Sequence, residues 1–146
     1  QLRRRGYKVH VYDRHDRIGG LLIYGIPNFK LEKEIVQRRV ALLEQGGVEF
    51  HRNFEVGRDA TLQEIRDRHD AVLIATGVYK ARDIQVPGVG LGSVVPALDY
   101  LVASNRKGLG DSVPAFEDGS LDAENKNIVV IGGGGDMIVQ GSGEDE

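Results

Sequence analysis

Hydrophobic and polar positions alternate over two short segments, residues 7–12 and 48–54. An alternation with a period of two places every second side chain on one face, which is typical of a strand with one buried side. In the first segment the odd-numbered positions carry the apolar side chains, and Asp13 follows the last of them. We therefore predict two strands, the first of which ends at Asp13.

Residues 31–45 show a helical period instead, and Gly46 and Gly47 follow as a stop signal. Apolar side chains recur there at intervals of three and four, so the pattern predicts an amphipathic helix. The predicted buried stripe consists of Ile35, Val36, Val40, Leu42 and Leu43.

Two shorter helices are predicted further along the chain. Thr61 and Glu64 have the spacing of a capping box and open a helix that runs to about residue 68. Pro96 opens another helix through about residue 104. Leu98, Leu101 and Val102 form the predicted buried stripe of that helix.

Continuous apolar runs at residues 71–75 and 128–131 predict two strands, the first buried on both faces. The region between the last helix and the last strand, residues 108–126, is polar and is expected to be irregular. Strands thus alternate with helices, which indicates an α/β fold with a parallel or mostly parallel sheet.

The composition limits the function classes. The 146 residues include 19 Lys and Arg against 22 Asp and Glu, a net charge of −3, whereas a dedicated nucleic-acid binder is normally basic. No apolar run approaches the roughly 18 residues of a membrane span. Because the chain has no cysteine, it supplies no disulfide, thiolate zinc site or cysteine-held iron–sulfur cluster. No signal-peptide pattern opens the chain, so we expect a cytoplasmic location.

The pattern at each end of the chain predicts a secondary-structure element that is only partly contained in the sequence. Residues 1–5 resemble the last turn of a helix that Gly6 stops, which predicts further chain before it. At the other end a predicted strand runs into a glycine loop, and the Gly-rich acidic residues 137–146 are expected to be disordered. We therefore expect that both ends are truncated.

The tetrapeptide Asp-Arg-His-Asp occurs at residues 13–16 and again at 67–70. Its histidines and aspartates lack the spacing of a metal site. Hydrated loop charges are the favoured interpretation.

Asp13, Gly19 and Gly20 are candidates for nucleotide binding. An acidic residue at the end of the second strand of a dinucleotide-binding unit accepts hydrogen bonds from the adenosine ribose, and adjacent glycines let backbone amides approach a phosphate. Each feature alone is also compatible with an ordinary turn.

Two further glycine-containing segments follow predicted strands. Ala75, Thr76 and Gly77 stand at the carboxyl end of a strand, where open α/β sheets bind ligands. The run of glycines from residue 132 to 135 also follows a strand, the context of a pyrophosphate loop. Met137 occupies the position of the third small residue, so the loop is half a fingerprint. The order of all these signals is that of a two-dinucleotide flavoprotein.

Residues 13–31, 69–82 and 95–111 resemble the small (beta) subunit of pyridine-nucleotide-dependent glutamate synthase. The resemblance extends from about residue 1 to about residue 135. The flavin domains of dihydropyrimidine dehydrogenase are similar at a greater distance.

The resemblance implies an incomplete FAD/NAD(P)-binding, Rossmann-like two-dinucleotide fold. Residues 1–126 would be part of the FAD domain without its first strand and fingerprint, 127–136 the start of the NAD(P)H domain, and 137–146 a tail. In that family hydride passes from NADPH to FAD, and electrons continue through iron–sulfur clusters to the large (alpha) subunit for glutamate synthesis. The cofactors react and the protein positions them, so no catalytic acid, base or metal is expected in this chain.

The resemblance also implies positions for the cofactors. The FAD positions would be Asp13 at the ribose, Leu21 and Lys30 in contact with the FAD, Val56 at the adenine end, and Ala75, Thr76 and Gly77 beside the flavin dinucleotide. The NADPH loop would begin with Gly133, Gly134, Gly135 and Asp136.

A different interpretation is a non-catalytic remnant, or a subunit-interaction module without cofactor, because the FAD fingerprint is outside the chain. That reading predicts an unpaired sheet edge and exposed apolar surface. A single-nucleotide regulatory domain built on the glycine loop would need a helix after residue 135, which the tail does not supply.

Overall fold

A computed structural model describes residues 1–77, 87 and 94–131 of the chain. The chain divides into two units, Gln1–Asp83 and Ile84–Glu146. The predicted NADPH loop, with Gly133, Gly134, Gly135 and Asp136, and the predicted disordered tail lie outside the described residues.

The first unit contains a strand–helix–helix–strand–helix succession. A 3₁₀ turn at Arg3–Arg5 precedes it, and Gly6 ends that turn in the left-handed region at φ 91°, as predicted. The elements in chain order are β1 (Val9–Tyr12), α1 (Leu21–Tyr24), α2 (Lys33–Gln45), β2 (Val48–His51) and α3 (Leu62–Arg68).

The two strands pair in parallel, with Val9 opposite Val48 and Tyr12 opposite His51. Parallel strands require a long crossover, and the segment containing α1 and α2 provides it. Both strands begin and end within a few residues of the predicted limits. The α/β class and the parallel pairing are therefore confirmed in the described part of the chain, and the two-dinucleotide architecture stays a prediction.

Helix α2 is confirmed, but its buried face differs from the predicted stripe. Val36 is buried, whereas Ile35, Leu42 and Leu43 are each nearly half exposed. The face turned inward instead begins with Lys33, three residues before Val36. Periodicity identified the helix correctly, and the partner surfaces, which are supplied by β2 and α1, decided which side is covered.

The capping box is confirmed in detail. The Glu64 backbone N–H donates to the Thr61 hydroxyl oxygen at 3.2 Å, and the Glu64 carboxylate accepts from the Thr61 backbone N–H at 2.7 Å. These bonds satisfy two donors at the start of α3 that would otherwise lack partners. They also lower the pKa of Glu64, chiefly through the backbone hydrogen bond from Thr61.

The predicted strands at 71–75 and 128–131 are wrong for the structure as described. Neither segment is a strand, and the side chains of Leu73 and Val129 are both 83% exposed. An apolar run forms a buried strand only where a neighbouring strand supplies backbone partners. Within the described residues, β1 and β2 pair only with each other.

The second unit contains two helices, α4 (Ala97–Gly108) and α5 (Pro114–Glu117). Helix α4 starts after Pro96 as predicted, and runs four residues beyond the predicted end. The buried Asn105 side chain donates back to the Leu101 carbonyl at 2.9 Å, and two basic residues occupy the last turn, where they favour the helix dipole. The predicted stripe of α4 is half buried, and α5 interrupts the stretch that was expected to be irregular.

A search of the described helices finds none with the length and apolarity required to cross a membrane.

Loss of the α3 cap should destabilise the first unit. Thr61→Ala removes the hydroxyl that accepts from the Glu64 N–H and should lower the free energy of unfolding by about 1 kcal/mol. Thr61→Ser keeps the acceptor and should stay close to the parent chain. Urea unfolding followed by circular dichroism measures both, and equal stability of the alanine and serine variants would contradict the role of the cap.

Candidate functional site

Asp13 stands directly after β1, at the carboxyl end of the parallel pair. Its backbone N–H donates to the His51 carbonyl at 3.0 Å, and its carbonyl accepts from the Phe54 N–H at 3.0 Å. The end of β2 therefore holds the Asp13 backbone from both sides. This is the position at which open α/β sheets bind ligands.

The Asp13 carboxylate has one oxygen in use. Oδ1 accepts from the His15 backbone N–H at 2.9 Å and contacts His15 Nδ1 at 3.0 Å. The side chain is 23% exposed. The turn role weighed from the sequence is thus confirmed, while Oδ2 has no hydrogen-bond partner among the described residues and could accept from a ligand hydroxyl.

Gly19 and Gly20 adopt backbone conformations that only glycine accepts readily, with φ of 132° and 52°. A Cβ at Gly19 would lie 2.9 Å from Val36 Cγ1 and 3.3 Å from Ile23 Cβ. The glycine loop therefore packs directly against α2. The Gly20 carbonyl accepts from the N–H groups of Ile23 and Tyr24, which starts α1.

Tyr24 connects the glycine loop to the Asp13 turn. Its buried hydroxyl donates to Asp16 Oδ1 at 2.5 Å and accepts from Arg17 Nη1 at 3.0 Å. The ring packs against the His15 ring with centroids 5.7 Å apart. Since His15 also binds the Asp13 carboxylate, one contact network joins Asp13 to α1.

Lys33, at the start of α2, hydrogen-bonds to the part of the crossover that contains α1. Its amine donates to the carbonyl oxygen of Leu22 at 3.1 Å and also to that of Ile26. The residue is only 4% exposed, and burial lowers the pKa of its amine. The backbone N–H of Lys33 also donates to Asn28 Oδ1, so this residue ties α1 and the following loop to the start of α2.

The remaining predicted cofactor positions lie on the surface. Leu21 and Lys30 are exposed, and Val56, paired with Ala60 in an isolated bridge, is 43% exposed. Ala75, Thr76 and Gly77 are exposed too. The structure unites Asp13, Gly19, Gly20 and Leu21 in one network, but no hydrogen bond or ring contact among the described residues joins 75–77 to it.

The interpretation of the repeated tetrapeptide as hydrated charges is confirmed for the charged residues of the second copy, Asp67, Arg68 and Asp70, which are exposed, and is wrong for most of the first copy. Asp13, His15 and Asp16 of the first copy are half buried within the network above. In the second copy, His69 Nε2 contacts the Tyr12 hydroxyl at 3.0 Å. The strand register also places His10 and Tyr12 on one face with Glu49 and His51, a grouping that the alternation of β1 and β2 could have indicated.

Sequence reasoning also missed Lys33 and Tyr24 as supports of the loop. Lys33 shares a helical face with Val36 and Val40, so its spacing was a signal that the charge type obscured. Tyr24 gave no local signal, because its partners Asp16 and Arg17 are seven or eight residues away in irregular chain.

The hydrogen-bonding groups of this site suit part of a dinucleotide. Oδ2 of Asp13 is an acceptor with two lone pairs, suited to ribose hydroxyls, and a glycine loop packed against α2 follows it. The side chains of this network can hydrogen-bond and position a ligand.

Crowding at Gly19 should make it more sensitive than another glycine of positive φ. Gly57 has φ 103° and an added Cβ there would meet nothing within 4 Å. Both Gly19→Ala and Gly57→Ala incur backbone strain of the order of 1 kcal/mol, and Gly19→Ala adds a clash costing roughly 1–3 kcal/mol more. Chemical unfolding measures both variants, and equal losses would show that the loop does not pack on α2 as described.

Replacement of Lys33 should loosen the crossover. Lys33→Met keeps the length of the side chain but leaves two carbonyls without their donor, which should cost about 1–3 kcal/mol despite the gain in hydrophobicity. Lys8→Met, at an exposed lysine, is the matched control and should stay within about 0.5 kcal/mol of the parent.

Because burial lowers the pKa of Lys33 in the folded chain, the unfolded chain binds more protons between the folded and unfolded pKa values. The parent should therefore gain stability as the pH rises through that window, and Lys33→Met should lack this gain.

Comparison with known proteins identifies close relatives. Over 134 residues, or 92% of this chain, it is 66% identical to the glutamate synthase [NADPH] small chain of Azospirillum brasilense. It is 62% identical over 133 residues to a putative glutamate synthase [NADPH] small chain of Cereibacter sphaeroides, and 45% identical over 135 residues to the corresponding protein of Bacillus subtilis. These matches cover 91% and 92% of this chain. No protein-family model matches the chain.

The matched regions are parts of longer proteins. The chain spans 28% of the Azospirillum protein, 32% of the Cereibacter protein and 27% of the Bacillus protein. Over nine-tenths of its own residues, the chain is a homologue of a segment of the NADPH-dependent glutamate synthase small chains.

Proposed function

We propose that the chain supplies part of the FAD site of an NADPH-dependent glutamate synthase small chain, an oxidoreductase. The observation that carries the proposal is Asp13 at the carboxyl end of β1, with one carboxylate oxygen open and a glycine loop that packs against α2 beside it. Identity of 66% and 62% to small chains over most of the sequence supports the same function.

The residues of the loop would bind and orient the cofactor. Asp13 Oδ2 would accept the hydroxyls of the adenosine ribose, while the glycine doublet and Leu21 would border the dinucleotide. The exposed Lys30 lies on the same crossover and would add a positive charge. Val56 would lie at the adenine end, and residues 75–77 beside the flavin dinucleotide.

When bound, FAD would take up hydride from NADPH and pass electrons on singly. The glycine segment with Gly133, Gly134, Gly135 and Asp136 would begin the NADPH loop. Since this chain has no cysteine, the iron–sulfur clusters of the pathway would be bound elsewhere in the parent protein. Electrons would then reach the large (alpha) subunit, in the cytoplasm, for glutamate synthesis.

A segment exchange tests the proposal. The matching 134 residues of the Azospirillum small chain are replaced by those of this chain, so that the site is assayed in a full-length protein. We expect a yellow protein that retains FAD through gel filtration and oxidises NADPH with an artificial acceptor. A folded but colourless exchange protein would refute the proposal and favour the module without cofactor.

Within the exchange protein, Asp13→Asn should weaken FAD binding. Asn keeps the acceptor toward His15 but places an amide donor where Oδ2 would accept from the ribose, and loss of a charge-assisted hydrogen bond costs about 1.5–3 kcal/mol, or about 10- to 100-fold in affinity. Asp67 holds the same place in the second copy of the tetrapeptide and accepts from Gln63 on α3. Asp67→Asn is the control and should retain the parent affinity in flavin fluorescence titrations, whereas equal affinities of the Asp13 and Asp67 variants would exclude the ribose role.

The alternative without cofactor has one observation in its favour. The exposed apolar residues at 72–74 and 128–131 form surfaces of the kind that mark interaction sites. The exchange protein distinguishes the two functions, because only the FAD site predicts retained flavin.

A further inference from the structure

We propose that His10, Glu49 and His51 form a binding site for a zinc-like divalent cation on one face of the β1–β2 pair. None of its three ligand side chains belongs to the hydrogen-bond network of Asp13 and the glycine loop, although the His51 backbone carbonyl accepts from the Asp13 N–H. It is built from side chains that neither the sequence motifs nor the resemblance assigns to any function.

Two of the three distances between the ligand atoms suit a tetrahedral ion. His10 Nδ1 lies 3.1 Å from His51 Nε2 and 3.5 Å from Glu49 Oε2. All three ligand atoms lie within 4.8 Å of one another. Zinc bonds of about 2.0–2.1 Å at tetrahedral angles separate neighbouring ligands by about 3.3–3.4 Å, so the two measured distances lie on either side of the ideal value.

The donor types select the class of cation. Two imidazoles and one carboxylate leave the fourth position to water, the arrangement of open zinc sites. Magnesium and calcium prefer all-oxygen ligand sets and are disfavoured here. The facing nitrogens of His10 and His51 need either a proton or a cation between their lone pairs, and a cation satisfies both rings and the carboxylate together.

Packing holds the rings, while the carboxylate side is open. The His69 ring packs against His10 at 5.0 Å between centroids, and the Tyr12 ring stacks on His51 at 4.5 Å. The Tyr12 hydroxyl contacts His69 Nε2 at 3.0 Å, which fixes these two supporting rings relative to each other. The side chain of Glu49 is 63% exposed and that of His10 24%, so an ion can enter from solvent and keep a water ligand.

The site would join the two strands. His10 belongs to β1, whereas Glu49 and His51 belong to β2, with Glu49 directly opposite His10 in the register. A bound cation would therefore cross-link the sheet through side chains. It should raise the melting temperature of the chain, because it binds the folded form and not the separated strands.

Zinc titration of the chelator-treated 146-residue chain tests the site. Isothermal calorimetry with zinc chloride should show one ion per chain. Each of three single substitutions should weaken zinc binding by more than about 10-fold: His10→Gln, His51→Gln and Glu49→Gln. Replacing a residue that only hydrogen-bonds to a metal ligand already costs about 10-fold or more in metal affinity, so loss of a ligand itself should cost at least as much. Glu34→Gln changes an exposed glutamate of α2 outside the cluster and is the control that should bind as the parent does.

Two measurements keep the test decisive if a histidine variant unfolds. Glu49→Gln changes an exposed side chain and should preserve the circular dichroism of the parent. X-ray absorption of the zinc-loaded parent should show two imidazole ligands with nitrogen and oxygen at about 2.0–2.1 Å. The proposal would be overturned if the parent did not bind zinc, or if the folded Glu49→Gln variant bound zinc as tightly as the parent. A spectrum without two imidazole ligands would also overturn it.

Discussion

The parallel pairing of β1 with β2 is the constraint on which both proposed sites depend. A parallel pair cannot be closed by a tight turn, so the chain between the strands must form a crossover, and that crossover contains the glycine loop and α2. The pairing continues past the strand end, where the Asp13 N–H donates to the His51 carbonyl. The same register brings His10 beside Glu49 on one face. A slip by one residue would move each of these side chains to the opposite face.

The crossover is held by polar groups as well as by its buried apolar side chains Ile23 and Val36. A buried ammonium is costly, and Lys33 is tolerated because two carbonyls of the α1 region accept from it. Tyr24 likewise has its hydroxyl satisfied by Asp16 and Arg17 while its ring is buried. Such networks demand one geometry, since a partly satisfied set would be worse than none. The same precision is what a cofactor loop requires.

Local signals predicted the elements well, and long-range requirements explain the failures. The Thr61–Glu64 box needs only four consecutive residues, and it formed as the spacing indicated. The run at 71–75 has strand composition, but burial on both faces requires neighbours that composition does not supply, so Leu73 is exposed. Asp13 could be predicted from its place after an alternating strand. Lys33 could not be recognised by residue type, because its burial depends on two carbonyls presented by α1.

His51 belongs to both sites, and this has a thermodynamic consequence. Its ring nitrogen is one of the three proposed cation ligands. Its backbone carbonyl accepts from the N–H of Asp13, whose carboxylate is the candidate ribose acceptor. A cation that orders the end of β2 would also order Asp13. Linkage makes any such coupling reciprocal, so a nucleotide bound at Asp13 would tighten cation binding by the same factor. Because the shared element is a single strand end, the coupling would come from ordering one hydrogen-bonded turn rather than from a change of fold.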